Sequence, residues 1–135
     1  MQTKPFLIAA DVERVAQAAQ AEAMRQGWKV SIAIVDDGGH LLHFMRLDGA
    51  APMSATMSQA KAHTAAVGRR ESRLFEEMIA GGRTAFLSAP GLQGLLEGGV
   101  PIVIDGHVLG AVGVSGVKSS EDAQVAKAGV AALGT

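Results

Sequence analysis

Between residues 98 and 116 the chain reads GGVPIVIDGHVLGAVGVSG, in which six glycines stand among eight Val, Ile and Leu residues. Glycine has no side chain to pack and loses the most backbone freedom on ordering, so it weakens a strand unless something requires it there. The β-branched residues still specify two strands, "VPIVID" and "HVLGAVGVS". Asp105-Gly106 between them is a two-residue hairpin turn, because both central positions need positive φ. Gly110 and Gly113, inside the second strand, then mark a bulge or a close approach by another backbone or a ligand. Any fold for this chain must supply that approach.

The rest of the chain supplies helices to cover such a sheet. Ile8, Val12, Val15, Ala19 and Ala23 form one apolar helix face, and Gly27 is its natural C-terminal stop. "KVSIAIVD", "DDGG" and "HLLHFMRL" read as strand, turn and strand. "APMSATMSQAKAHTAAV" is helical, with Ser54 as N-cap just after Pro52, and "SRLFEEMIA" is a shorter helix ending at Gly81-Gly82. "TAFL" reads as a short strand, and "SAPGLQGLLEGG" as a loop. Ser119 and Asp122 open the last helix at capping-box spacing. This order predicts an α+β fold, with an antiparallel sheet covered by helices.

A chain of 135 residues without repeats or linkers reads as one domain, 1–135. It has no cysteine, which excludes disulfides, zinc–thiolate sites and iron–sulfur clusters. A net charge of −1 gives no electrostatic reason to expect nucleic acid or an anionic membrane as partner. The early apolar run "PFLIAA" is cut by Asp11, too soon for a signal segment or a membrane span, so a cytoplasmic location is expected.

Chemistry-bearing residues are few. The glycines at 110, 113 and 116 do not form a dinucleotide fingerprint. The segment from Ser115 to Ser120 joins a strand end to a helix N-terminus beside Lys118; it makes a turn and cap, or it cradles an anion. Lys61 has Met57, Ser58, Thr64 and Ala65 as helical neighbours, so no local acid pairs with it. It either snorkels to water or points into a pocket. Asp36 and Arg46 end the first two strands, where an ordinary surface ion pair or a site residue would serve. Of the histidines, His40 and His43 are three apart and point to opposite strand faces, and neither they, His63 nor His107 has zinc-motif spacing. A single axial ligand to haem needs no motif.

The stretches "SIAIVDDGGHLLHFMRLDGA", "QAKAHTAA" and "GGVPIVIDGHVLGAVGVSG…ED" resemble the GlcG/HbpS family over nearly the whole chain. The matching positions are Asp36, Gly39 and Arg46 in the first hairpin, and Lys61, Ala62, Thr64 and Ala65 in a K-A-x-T-A motif. Gly99, Pro101, Asp105, Gly106, Gly110, Gly113, Ser115, Gly116 and Asp122 complete the set. The resemblance implies a five-stranded antiparallel sheet flanked by helices, assembled as a homo-oligomer, with octamers known in the family.

It also implies a small-molecule ligand, haem or a corrinoid, in a cleft lined by Arg46, Lys61, Thr64, Gly110, Gly113 and Ser115. His40, His43 and His63 are the candidate axial ligands, although none is a family hallmark, and the E-x-x-E pair of the iron-binding branch is absent. The alternative is a small catabolic enzyme, isomerase-, tautomerase- or lyase-like, acting on a carboxylate or carbonyl metabolite. There Arg46 would hold the anion, Lys61 would polarise a carbonyl or move a proton, and Asp36 would orient one of them. Were Lys61 a ligand residue, Lys61→Met would leave folding nearly intact and weaken anion binding.

Overall fold

The computed structural model describes residues 1–134. Its elements are α1 (Ala9–Gln26), β1 (Ser31–Asp36), β2 (Leu41–Arg46), α2 (Met53–Gly68), α3 (Ser72–Ala80), a 3-10 helix (Thr84–Ser88), β3 (Gly99–Ile104), β4 (His107–Ser115) and α4 (Ser119–Ala131). The strands form one antiparallel sheet in the order β2-β1-β4-β3.

Strand alternation sorts the side chains onto two faces. Ile32, Ile34, Ile102, Val112 and Val114 face α1 and α4, whose Val12, Val15, Ala19 and Val125 complete the larger core. The opposite face carries Ala33, Val35 and Ala111 under Ala62, Ala65 and Ala66 of α2. That second layer is built almost wholly from small residues, so α2 lies very close to the sheet.

The glycines of the opening motif explain how close. A Cβ on Gly113 would stand under 3.0 Å from the Ser58 carbonyl oxygen and from the amide nitrogen and Cβ of Ala62. A Cβ on Gly99, paired with Gly113, would collide with the Lys61 carbonyl. Gly110 is packed instead against the Val35 carbonyl of β1, next to the irregularity in β3–β4 pairing after Ile102. Both sequence readings therefore apply: one glycine admits a helix backbone, the other sits at a bulge.

Asp105 and Gly106 have φ of 52° and 79°, the two positive values that the Asp-Gly turn requires. Gly27 ends α1 at φ 74°. Three local expectations are corrected. Among the described residues the sheet has four strands, not five, because "TAFL" is part of the 3-10 helix. Phe86 stacks on Phe75 of α3 with ring centroids 5.2 Å apart, which holds this segment against the helix and away from a sheet edge. Ser54 does not cap α2; its hydroxyl bonds to the Ala51 carbonyl at 2.6 Å and to Ser31 Oγ at 2.8 Å. At α4 the cap lies one residue earlier than expected. Glu121, not Asp122, accepts from the Lys118 amide (3.3 Å), and Ser119 is the first helical residue. Among the described residues no helix is long and apolar enough to cross a membrane.

Candidate functional site

Lys61 is the residue whose placement the sequence leaves open. It leaves α2 on the sheet side and is 3% exposed. Its Nζ donates to the Val114 carbonyl and to Asp122 Oδ2, both at 3.1 Å. Asp122, 2% exposed, also accepts from the Val117 amide through Oδ1 at 3.1 Å. Burial pushes the Asp122 carboxyl above the ordinary aspartate range, opposed by the Lys61 charge and the Val117 amide. Gly98, at φ 133°, leaves room for the Lys61 stem, since a Cβ there would stand 2.9 Å from both Cδ and Nζ. Lys61 therefore neither snorkels nor lines a cleft. It ties α2 to the end of β4 and the start of α4.

The other positions that the resemblance gathers into a cleft are likewise dispersed. Thr64 is fully buried, and its Oγ1 has no hydrogen-bond partner among the described residues. Gly110 and Gly113 meet backbone, and Ser115 pairs with Ser31 across the sheet. Arg46 is exposed on the edge strand and donates from Nε to the Ala50 carbonyl at 3.1 Å, bracing the loop into α2. Asp36 folds the first turn: Oδ1 accepts from the Gly38 and His40 amides, each at 2.9 Å. The arrangement needed by the catalytic alternative, with Arg46 and Lys61 facing one substrate, is not formed.

The histidines separate clearly. His40 lies in the turn, not in β2, with Nδ1 3.2 Å from Asp36 Oδ1 and its ring largely in solvent. His63 Nδ1 is 3.3 Å from the Gly39 carbonyl. His43 is different. Paired opposite Ile34, it lies on the α1 face, and its Nε2 is buried with no partner among the described residues. It lines a cavity of about 310 Å³ with Leu7, Ile8, Ala9, Val12, Glu13 and Leu42. An unpaired imidazole nitrogen among aliphatic side chains is costly unless a ligand or metal completes it.

Further cavities among the described residues include three others. The largest of them, about 520 Å³, is apolar and lies between α3, the 3-10 helix and the following loop, walled by Ile79, Leu87, Leu92, Leu95 and Leu96. Its signal in the sequence is the leucine spacing within "LSAPGLQGLL", which Pro and Gly content masks as plain loop. Another, of about 420 Å³, carries Lys4, Arg69 and His107. The last lies beside Trp28. Neither Arg46 nor Lys61 lines any of the four.

A helix-covered antiparallel sheet with α2 seated on glycine, and a cavity at an unpaired histidine, defines a small α+β class. Within it, residues 7–131 match the family model described as "Haem degrading protein HbpS-like", and the chain belongs to that family. It is 54% identical over 115 residues to Protein GlcG of Escherichia coli strain K12, covering 85% of each chain. A crystal structure of HbpS superposes with a TM-score of 0.89 at 32% identity, covering 100% of this chain and 95% of that one. A crystal structure of a PduOC:heme complex, 24% identical, shares the fold with a TM-score of 0.84 and 95% coverage of both chains.

Proposed function

We propose that this chain binds haem or a related tetrapyrrole, with His43 as the single axial protein ligand. The observation that carries this reading is the unpartnered Nε2 of His43 in a mostly aliphatic cavity that Glu13 also lines. The chemistry of the donor fits: a neutral imidazole is a good iron ligand, and Leu7, Val12 and Leu42 are suitable neighbours for a macrocycle. At about 310 Å³ the cavity is at the small end for a ligand site. A tetrapyrrole would therefore lie partly over Phe6, Ile8 and Leu42, which are already exposed. When bound, haem would supply an iron centre held through the His43 imidazole. His43 would orient it, and the aliphatic wall would exclude water from its inner face. The family description supports haem as the ligand class.

Titrating haemin into the purified protein and into His40→Ala, His43→Ala and His63→Ala variants tests the assignment. Loss or displacement of the Soret band is expected for His43→Ala alone. An unaltered band in His43→Ala would remove His43 from the site.

We further propose a homo-oligomer. The small-residue surfaces of α2 and Gly113 pack on one another inside the chain and are not free for subunit contact. The better argument is the outer edge of β2, which has no strand beyond it among the described residues and exposes Leu41, Leu42 and Met45, with Ile8 beside Leu42. An apolar unpaired edge is a template for association. Light scattering is expected to return a multiple of 13.8 kDa at micromolar concentration. A particle of one chain's mass would end this reading.

A further inference from the structure

We propose that the cavity between the C-terminal end of α2 and the β3–β4 hairpin tip is a binding site for a small organic monocarboxylate. Three separate segments build it: Lys4 of the N-terminal stretch, Arg69 just after α2, and the β3–β4 hairpin through Val103, Gly106 of the turn, and His107 and Val108 at the start of β4. No acidic side chain is on its wall among the described residues. Of the acids off the lining, Asp37 pairs with Lys4, Asp105 is exposed at the hairpin tip, and Glu71, two residues after Arg69, pairs with Arg73 and Lys127. Lys4 and Arg69 set against the Asp37 carboxylate leave one positive charge from these three groups. That balance suits a monoanion better than a dianion, and Val103 with Val108 suits a short aliphatic chain.

Arg69 carries the argument furthest. It occupies the left-handed C-cap of α2 at φ 56°, a position that ordinarily favours glycine or asparagine. One arm of its guanidinium is committed: Nη1 donates to the Asp37 carbonyl at 2.5 Å and the Ala66 carbonyl at 3.0 Å. Those bonds hold the side chain across the gap between helix and turn. Nε and Nη2 have no hydrogen-bond partner among the described residues, so two donors remain for a carboxylate. Arg69 is exposed, and an arginine held at a left-handed backbone position, oriented but incompletely paired, offers its remaining donors to a ligand from solvent.

The test is a titration of the ¹⁵N-labelled full chain near neutral pH with sodium butyrate, sodium chloride at matched ionic strength, and inorganic phosphate. Butyrate is expected to shift the amides of Arg69, Gly106, His107 and Val108 saturably, chloride to leave them unmoved, and phosphate to bind more weakly. Arg69→Asn is expected to weaken butyrate by roughly ten- to a hundredfold, the loss of one charged hydrogen-bonding partner. Because asparagine tolerates positive φ, the fold of that variant should hold or gain stability. Lys4→Gln should weaken butyrate less, its charge being shared with Asp37. The proposal is overturned if butyrate gives no saturable shift, if chloride reproduces it, if phosphate binds tighter, or if Arg69→Asn lowers the melting temperature with affinity unchanged. The wall shares no residue with the His43 cavity and the titration contains no haem, so the two readings fail separately.

Discussion

Lys61→Met is expected to destabilise the fold by about 3–5 kcal/mol at neutral pH, the size seen when one partner of a buried ion pair is removed. Methionine can occupy the channel beside Gly98, so the loss is electrostatic more than steric. What remains is the Asp122 carboxylate, buried and held by the Val117 amide without its cation. The pH dependence follows in sign. Burial already raises Asp122, and without Lys61 nothing cationic opposes it, so its folded-state value rises further. A raised carboxyl contributes stability that is complete below the unfolded value, about 3.9, and is lost as pH rises through the folded value. The deficit of Lys61→Met should therefore be small in acid and grow toward neutrality. Adding Asp122→Asn should recover part of it, because the stranded charge is gone. Thermal melts of the single and double variants across pH check this. A pH-independent deficit, or a double variant worse than the sum of the singles, would show that the pair is not the cause.

Gly113→Ala is expected to cost about 3 kcal/mol or more, at the upper end for overpacking. The added carbon meets the Ser58 carbonyl, the Ala62 amide and Ala62 Cβ, all under 3.0 Å away. Two of those three atoms are helix backbone and cannot rotate aside. Relief requires α2 to lift from β4, which would also disturb Lys61 and the alanines packed on Ala33 and Ala111. Gly106→Ala is the control. It meets nothing within 4 Å, so it should lose only about 1–2 kcal/mol from its φ of 79°. Chemical denaturation of both variants separates the causes; equal losses would mean that the helix does not rest on Gly113.

Local geometry is legible in the order of residues alone. The spacing of Val12, Val15, Ala19 and Ala23 specifies α1, Gly27 its end, and Asp105-Gly106 a hairpin, because helical period, left-handed caps and primed turns depend on residues within a few positions of each other. The glycine-bearing strand also shows that something must approach it. What approaches is decided in three dimensions: α2 from the same chain, through Ser58 and Ala62. The sequence around Lys61 offers no acid, and its partner Asp122 lies 61 positions away, so only packing could turn an apparent site residue into a buried tie. "TAFL" carries strand-forming residues, yet the stacking of Phe86 on Phe75 selects a 3-10 helix, leaving the sheet at four strands among the described residues. His43 differs from His40 and His63 by its environment alone, a consequence of β2 pairing register and of Leu7 and Ile8 lying over it. The cavity at Arg69 draws on residues from 4 to 108, a separation no local pattern encodes. Backbone geometry fixes what neighbours along the chain can do; which distant side chains share a dry or a wet space is settled by how the layers close.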